Sequence, residues 1–359
     1  MKIAIIGLSN SGKTTVYNAL TGYNLETTVY PTISGDPHLG VIKVPDSRLD
    51  RLSQIFKPKK TSHATTEYID YIGLTKGDLS QNRNVFDLIK NVDAILHVVR
   101  AFKDDIVMHP LGSLDPLRDV VTIEMELMFG DLELIEKRLD RMELESKRGK
   151  KPDESERKLL LKCKDSLSQE IPLRNIVFDQ EEEKAMRHLQ FLSVKPELVV
   201  LNIGEDDLKT EYSLKIQTSV AQHHASLPVL SLCGKIEMEI AQLSPDDALL
   251  FLEDLGIPEP VSVRLIHKCY DILGLIIFYS YVGDEVRAWT IQKGTSALKA
   301  AGKIHSDIER GFIRAEVISF DDFIAAGDMH TARDKGILRL EGKNYEVRDG
   351  DIIHFRFNV

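Results

Sequence analysis

Near the start of the chain, two glycines, a lysine and a threonine have the spacing of a phosphate-binding loop. Gly7, Gly12, Lys13 and Thr14 match the pattern GxxxxGK[ST], which follows an apolar run and precedes a helical pattern. In such a loop the backbone N–H groups surround an anion, the lysine contacts the β- and γ-phosphates, and the hydroxyl coordinates Mg²⁺. The stretch therefore predicts a nucleotide phosphate site that includes Mg²⁺.

A second motif further along the chain predicts a switch. Asp70 and Gly73 form DxxG at the end of the apolar stretch TTEYID. In this motif the aspartate holds Mg²⁺ through a water molecule, and the glycine N–H contacts the γ-phosphate. The loop TTVYPTISGDP between the two motifs is rich in Thr, Ser, Gly and Pro. This order favours a switch-type nucleotide hydrolase over a small-molecule kinase.

The segment Asn202-Ile-Gly-Glu205 stands where guanine-binding switch proteins have Asn-Lys-x-Asp. An aspartate there pairs with two donors that only guanine has, and the lysine packs over the base. Ile203 replaces the lysine and Glu205 is one methylene longer, so these residues favour adenine. The alternative is that Glu205 belongs to an acidic surface loop. The stretch SLCGKIE, which starts with Ser231 and Leu232, predicts the second base loop.

The composition excludes several classes of function. The chain has 359 residues and a formal net charge of −10, so any contact with RNA must be local and a DNA-coating protein is not expected. Cys163, Cys233 and Cys269 lie far apart without a CxxC pair, which predicts reduced thiols rather than a zinc site or disulfides. We read neither a signal peptide nor a membrane span, so a cytoplasmic location without a membrane partner is expected.

Short apolar runs alternate with helical patterns over most of the chain. Continuous Val, Ile and Leu runs bounded by turn residues are typical of strands covered on both faces, so they predict a doubly wound α/β sheet. The runs are KIAIIGL, HLGVIKV, TTEYID, DAILHVVR, PELVVLN and LPVLSL.

Between residues 119 and 192 the pattern becomes helical and highly charged. Apolar residues recur three or four positions apart on two successive segments, as in a narrow helix–helix seam. The break KRGKKPDES carries Gly149 and Pro152, so the two helices are expected to form an antiparallel hairpin. The seam residues are Leu132, Ile135, Leu139 and Met142, followed by Leu160, Cys163 and Leu167.

The hairpin tip would carry four cations. Lys147, Arg148, Lys150 and Lys151 indicate either a solvated turn or a contact with RNA phosphates.

After about residue 272 the pattern changes to a small sheet crossed by one helix. EVRAWTI and GFIRAEVI predict strands that flank a helix over residues 296–304. GKNYEVRDGDIIHFRFNV predicts a hairpin that turns at Asp349-Gly350.

Together these segments resemble the YchF/Obg-like ATPase family over nearly the whole chain. The stretches from EVRAWTIQKGT to GFIRAEVI and VRDGDIIHFRFNV resemble its TGS domain, a ubiquitin-like β-grasp module. The resemblance implies an α/β fold with a mixed, mostly parallel P-loop NTPase domain at residues 1–118 and 193–272. It further implies an inserted helical coiled-coil hairpin at 119–192 and a TGS domain at 273–359.

The resemblance also implies roles for individual residues. It assigns a preference for ATP over GTP to Asn202, Ile203 and Glu205, and it places Ser34, or its rival Thr32, where a Mg²⁺-binding threonine usually stands. It assigns phosphate contacts to Asn10, Ser11, Gly12, Lys13, Thr14 and Thr15.

Two further positions concern the attacking water. Leu74 follows DxxG where many GTPases have a water-orienting glutamine. His109 matches a family histidine proposed for that role, and the alternative is a surface or packing histidine. Lys13 and His109 are therefore the catalytic candidates.

Two segments depart from the family pattern. The P-loop reads NSGKT instead of NVGKS, and GLTKGDLSQNRNVF lacks a glycine-rich run and is shorter than the usual switch II. We expect slow Mg²⁺-dependent ATP hydrolysis and ribosome binding through the TGS domain or the hairpin tip. The alternatives are a GTP-specific enzyme and a nucleotide-sensing module with negligible hydrolysis. A metabolic phosphotransferase is least favoured.

Overall fold

The structure is a computed structural model that describes residues 1–27, 36–149, 151, 153–208, 210–223, 227–257 and 259–358, without the side chains of residues 213, 223 and 261. The chain divides into two compact units. The first unit comprises Met1–Ile42 and Glu67–Leu265, and the second comprises Lys43–Thr66 and Ile266–Val359.

Twelve strands and fourteen α-helices are found in the described residues. The strands are β1 (Lys2–Ile6), β2 (His38–Lys43), β3 (Lys60–Ser62), β4 (Thr65–Asp70), β5 (Ala94–Ala101), β6 (Glu197–Ile203), β7 (Val229–Leu232), β8 (Leu275–Val282), β9 (Glu285–Gln292), β10 (Phe312–Ser319), β11 (Arg339–Glu341) and β12 (Asp351–Phe357). The helices are α1 (Lys13–Thr21), α2 (Ser47–Phe56), α3 (Leu79–Ile89), α4 (Pro116–Lys147), α5 (Glu154–Ser168), α6 (Gln180–Leu189), α7 (Glu211–His223), α8 (Gly234–Gln242), α9 (Pro245–Leu255), α10 (Val261–Ile272), α11 (Ala297–Ile304), α12 (Ser306–Arg310), α13 (Phe320–Ala326) and α14 (Met329–Asp334).

The first sheet has six strands in the order β2-β4-β1-β5-β6-β7. The neighbours from β4 to β7 are all parallel, and every residue of β5 and β6 is buried. The six apolar runs of the sequence form these strands, so the predicted mostly parallel sheet is confirmed. Parallel strands end at one edge of a sheet, which brings the loops after β1, β4 and β6 together.

The helical segment forms a hairpin of α4 and α5. Arg138 Nε donates to Glu156 Oε1 at 2.7 Å, and Lys164 Nζ donates to Glu136 Oε1 at 2.9 Å, so the two helices lie side by side. The predicted seam residues pack into one apolar cluster together with residues of α6. Cys163 lies in this cluster, and burial raises the pKa of its thiol to about 12. All three cysteines are buried, and none of them forms a disulfide within the described residues.

The second sheet has the order β11-β10-β12-β8-β9-β3. The pair β8/β9 is antiparallel, β12 runs parallel to β8, and β10 is antiparallel to both β12 and β11. Helix α11 packs on this sheet and buries Ala297, Ala300 and Ala301 against Phe278. A helix packed on such a sheet confirms the predicted β-grasp fold.

The predicted hairpin at Asp349-Gly350 is wrong, although a turn does occur there. Strand β12 pairs with β10 and β8, and no strand precedes it within residues 342–350. Asp349 instead accepts hydrogen bonds from Ile277 N and Arg48 Nη1, at 2.9 and 2.7 Å. A turn signal is local, and the buried β12 takes its partners from strands that are distant in sequence.

Within the described ranges, none of the helices combines the length and the apolar character that a membrane crossing requires.

Candidate functional site

The loop after β1 is shaped by two glycines. Gly7 has φ 152°, and a Cβ there would lie 2.2 Å from Val98 O; Gly12 has φ 87°, and a Cβ there would lie 2.2 Å from Asn202 Nδ2. Any other residue would clash with its neighbour and strain the backbone. The loop therefore has the tight curvature that turns backbone N–H groups toward an anion at the start of α1.

Lys13 is buried beneath this loop. Its side chain donates to Leu8 O at 3.0 Å, and the residue is only 7% exposed. Burial lowers the pKa of Lys13 to about 8, and the charge of Asp70 opposes this shift. A partly desolvated ammonium gains much from a second anionic partner, which a nucleotide phosphate would supply.

Thr14 and Asp70 meet at the same edge of the sheet. Thr14 Oγ1 donates to Asp70 Oδ2 at 2.8 Å, and Asp70 Oδ1 is buried without a hydrogen-bond partner in the described part of the chain. Burial raises the pKa of Asp70, while Lys13 and Thr14 lower it. A hydroxyl and an orphaned carboxylate oxygen are hard oxygen donors, so these residues fit Mg²⁺. Ser34 and its rival Thr32 lie outside the described residues.

Asn202 joins the loop after β1 to the predicted second base loop. Its Nδ2 donates to Ser11 O at 3.1 Å, and its Oδ1 accepts from Gly234 N at 3.0 Å. Gly234 begins α8 directly after β7 and Cys233. The buried asparagine thus fixes both loops in relation to each other.

The remaining predicted base residues differ in exposure. Ile203 and Leu232 are buried, and Ile203 packs in an apolar cluster of the sheet. Glu205 is exposed at the start of a 3-10 helix, with its Oε2 3.7 Å from Lys235 Nζ. Ser231 Oγ donates to Gln217 Oε1 at 3.4 Å. Glu205 is therefore the residue of this group with a carboxylate open to a ligand.

The DxxG segment lies against the phosphate loop. Leu74 N donates to Gly7 O at 2.9 Å, and a Cβ at Gly73 would lie 2.6 Å from Ser9 N. Leu74 is 1% exposed and belongs to an apolar cluster. Its side chain faces the core rather than a reacting phosphate.

His109 is turned toward α4. Its Nδ1 accepts from Leu111 N at 3.1 Å, so Nε2 carries the proton that is donated to Asp119 Oδ2 at 2.8 Å. The imidazole borders a small cleft that Ser9 and Ser11 also line. It makes no hydrogen bond to the phosphate loop among the described residues, so it packs near the site in this conformation.

Two residues near the end of β5 were missed by the sequence interpretation. Arg100 donates from its guanidinium to Phe102 O, Asp104 O and Val107 O, and so holds the loop that carries His109. Phe102 lies 3.9 Å from the Cβ positions that Gly12 and Gly204 would have. For Arg100 a signal was available, because an arginine ends the mostly apolar run DAILHVVR.

Glu126 on α4 was also missed. Its Oε1 accepts from Gly77 N at 2.6 Å and its Oε2 accepts from Asn82 Nδ2 at 3.0 Å. Asn82 in turn donates to and accepts from the backbone of Thr75 at 2.8 Å. The residues that follow DxxG are therefore fastened to the helix of the hairpin. Nothing in a charged helical pattern distinguishes Glu126 from an exposed carboxylate later on the same helix, such as Glu136.

Family models match two segments of the chain. The model described as 50S ribosome-binding GTPase matches residues 2–125. The YchF-GTPase C-terminal model, described as a protein of unknown function, matches residues 275–358.

Several whole proteins are also similar along their full length. "Ribosome-binding ATPase YchF" of Bacillus subtilis (strain 168) is 42% identical, with 99% of this chain and 98% of that protein covered. The protein of the same name from Haemophilus influenzae is 40% identical, with 100% and 99% covered. The solved structure of the Schizosaccharomyces pombe YchF GTPase has a TM-score of 0.82 at 28% identity and covers 99% of this chain and 97% of its own. The chain therefore belongs to the YchF family, as its motifs predicted.

Proposed function

We propose that this protein binds Mg²⁺ and ATP, in preference to GTP, and slowly hydrolyses ATP to ADP and phosphate while associated with the ribosome. The observation that carries the proposal is the cluster of Lys13, Thr14 and Asp70 at the edge of the parallel sheet. A buried cation and hard oxygen donors beside a glycine-shaped loop suit a nucleotide phosphate with its metal ion.

Each residue of the cluster has a distinct part. The backbone N–H groups from Asn10 to Thr15 and the ammonium of Lys13 bind the phosphates and stabilise the charge that develops as water attacks in line. Thr14 and, through water, Asp70 would hold Mg²⁺ together with Ser34. When bound, the metal ion neutralises phosphate charge. The N–H of Gly73 is proposed to contact the γ-phosphate.

The structure of the loops supports a slow rate. Leu74 is buried and cannot orient water, so that role is assigned to His109, which must first leave Asp119. Without an orienting glutamine or an arginine finger, we expect turnover well below the roughly 1–100 s⁻¹ of kinases.

The preference for ATP is proposed from the base segment. The side-chain amide of Asn202 is already hydrogen-bonded to two loops. Ile203 is buried and stands where a lysine would pack over a guanine base. Glu205 is the residue of the segment whose carboxylate is exposed to a ligand. Ser231 and Leu232 lead into the second base loop. Two relatives that match the whole chain carry the word ATPase in their names.

The ribosome is proposed as the partner because the same relatives are named ribosome-binding. We further propose a nucleotide-binding domain at 1–118 and 193–272, a helical hairpin at 119–192 and a TGS domain at 273–359, with RNA contact through the last two. A cytoplasmic location follows from that partner.

The first experiment compares equilibrium binding of fluorescent ATP and GTP analogues with Mg²⁺. Because Ile203 is buried, replacing it with lysine would disturb the core, so Glu205→Gln is the sharper variant, with Glu211→Gln as an exposed acidic control. We expect tighter binding of ATP by the wild type. Tighter GTP binding that Glu205→Gln abolishes would refute the ATP assignment.

Two alternatives each have an observation in their favour. A GTP-specific enzyme agrees with the exposed carboxylate of Glu205 and with the family model described as a GTPase. A nucleotide-sensing module with negligible hydrolysis agrees with the buried Leu74. Single-turnover hydrolysis with and without ribosomes separates the sensing module from an enzyme, because only an enzyme releases phosphate at a measurable rate.

A further inference from the structure

A groove in the first unit, separate from the phosphate loop, lies between α3 and α4. Its volume is about 390 Å³. One wall carries Arg83 of α3 and Lys90, which caps the C-terminus of that helix, and the other carries Lys137, Arg138 and Arg141 of α4. Arg83 and Lys90 are seven residues apart, and Arg141 follows Arg138 and Lys137 by three and four residues. These spacings place each set on one side of its helix.

The floor of this groove is apolar. Phe86 and Leu192 are buried, while Leu79 and Leu134 are half-buried and line the groove. Gly130 of α4 allows the two helices to come close, because a Cβ there would lie 3.1 Å from Phe86 Cε2 of α3. The groove is thus a strip of apolar surface between two rows of cations.

The cations of the rim outnumber the carboxylates that pair with them. Glu133 is shared by two of them, with its Oε1 3.5 Å from Arg83 Nη2 and in contact with Lys137 Nζ. Arg141 forms no ion pair with any residue that the structure describes. The chain as a whole has a net charge of −10, so a local excess of cations indicates a binding site for an anionic partner.

The other two cations have one carboxylate each. Lys90 pairs with Asp87 at 2.7 Å, and Arg138 pairs with Glu156 at 2.7 Å. Such pairs near the surface are weak and exchange readily for a better anion. A further carboxylate, Asp131, lies at the base of the groove and accepts hydrogen bonds from backbone N–H groups instead.

We propose that this groove binds single-stranded RNA, with phosphates on the cationic rim and an unstacked base on the apolar floor. Phosphates supply the negative charge that the rim lacks, and an apolar strip beside them suits a base rather than a second row of charge. The strand would come from the ribosome, so the inference rests on the proposed function in this respect. Binding in this groove would place the RNA contact near the base of the hairpin rather than at its tip.

The test measures the anisotropy of a fluorescein-labelled 12-nucleotide oligouridine at several KCl concentrations. The groove variant combines Arg83→Gln, Lys137→Gln and Arg141→Gln. The matched control combines Lys147→Gln, Arg148→Gln and Lys151→Gln at the hairpin tip, which removes the same number of positive charges away from the groove. Thermal unfolding and ATP binding show whether each variant remains folded.

We expect the groove variant to lose about tenfold or more in RNA affinity, while the tip variant stays close to the wild type. For the groove variant, the slope of log affinity against log salt should become smaller in magnitude by about 2. Three cations are removed, and each phosphate contact contributes about 0.7 to the slope. Equal losses in both variants, a loss in the tip variant alone, or no RNA binding by the wild type would overturn the inference. Equally tight binding of polyglutamate would also overturn it, since that would indicate an acidic protein partner.

Cosedimentation of the same variants with ribosomes separates this inference from the proposed function. Ribosome binding that survives in the groove variant counts against the groove and leaves the function standing. RNA binding that depends on the groove in a protein that never binds ribosomes supports the groove and refutes the function.

Discussion

Asp119 and Glu126 lie seven residues apart on one side of α4, and each holds a different loop of the nucleotide site. Asp119 Oδ2 accepts from His109 Nε2 at 2.8 Å, and Glu126 Oε1 accepts from Gly77 N at 2.6 Å. One helix thus contacts both the loop after β5 and the loop after DxxG. Because α4 continues into the hairpin, a shift of this helix would reach both loops.

Replacing Glu126 should loosen the loop after DxxG. In Glu126→Gln one acceptor becomes an NH₂ group that faces the N–H of Gly77 or the amide of Asn82. We expect the free energy of unfolding in urea to fall by about 1–3 kcal/mol and amide exchange of residues 75–82 to accelerate. Glu136→Gln, an exposed change on the same helix, is the control. Identical behaviour of the two variants would show that Glu126 does not hold the loop.

Weakening the partner of His109 tests whether the histidine acts on water. In Asp119→Asn the hydrogen bond becomes neutral and weaker, so His109 leaves α4 more easily. We expect single-turnover ATP hydrolysis to rise in Asp119→Asn and to fall by at least about tenfold in His109→Ala. A histidine that only packs would change the thermal stability in both variants and the rate in neither.

The low pKa of Lys13 predicts that nucleotide binding depends on pH. The free protein loses this proton near pH 8, whereas a bound phosphate favours the charged ammonium, so binding takes up a proton above pH 8. We expect the affinity for ATP to decrease by up to about tenfold per pH unit between pH 8 and 10. Isothermal titration calorimetry in buffers of different ionisation enthalpy measures the proton uptake.

Lys13→Arg is the matched variant for this pH dependence. Its guanidinium stays charged throughout the range, so its affinity should be lower but independent of pH. The same slope in both proteins would assign the titration to another group.

Gly12 should tolerate alanine far less well than Gly112 does. Both glycines have positive φ, 87° and 79°, so each alanine costs about 1 kcal/mol in backbone strain. Only at Gly12 does the new Cβ meet an atom, Asn202 Nδ2 at 2.2 Å, whereas nothing lies within 4 Å at Gly112. We expect Gly12→Ala to weaken ATP binding at least about tenfold, since it displaces the asparagine that joins the two loops. Equal ATP affinities in both variants would contradict this.

The sequence alone predicted the sheet and the phosphate loop because both depend on local patterns. Six apolar runs became the six strands of the first sheet, and GxxxxGK[ST] specified its own turn through Gly7 and Gly12. The family resemblance likewise came from residues that are contiguous in the chain. The assignment of individual site residues remains a prediction.

Only the tertiary structure decided which distant groups meet. It gave Asn202 its two loop contacts, turned His109 to Asp119, brought Glu126 under Gly77 and paired β12 with β8 and β10 rather than with its preceding segment. Most of the residues in these contacts are far apart in the chain, and no repeating sequence pattern links them. Their partners are selected by burial, since a buried polar group or strand must find its hydrogen bonds wherever the fold supplies them.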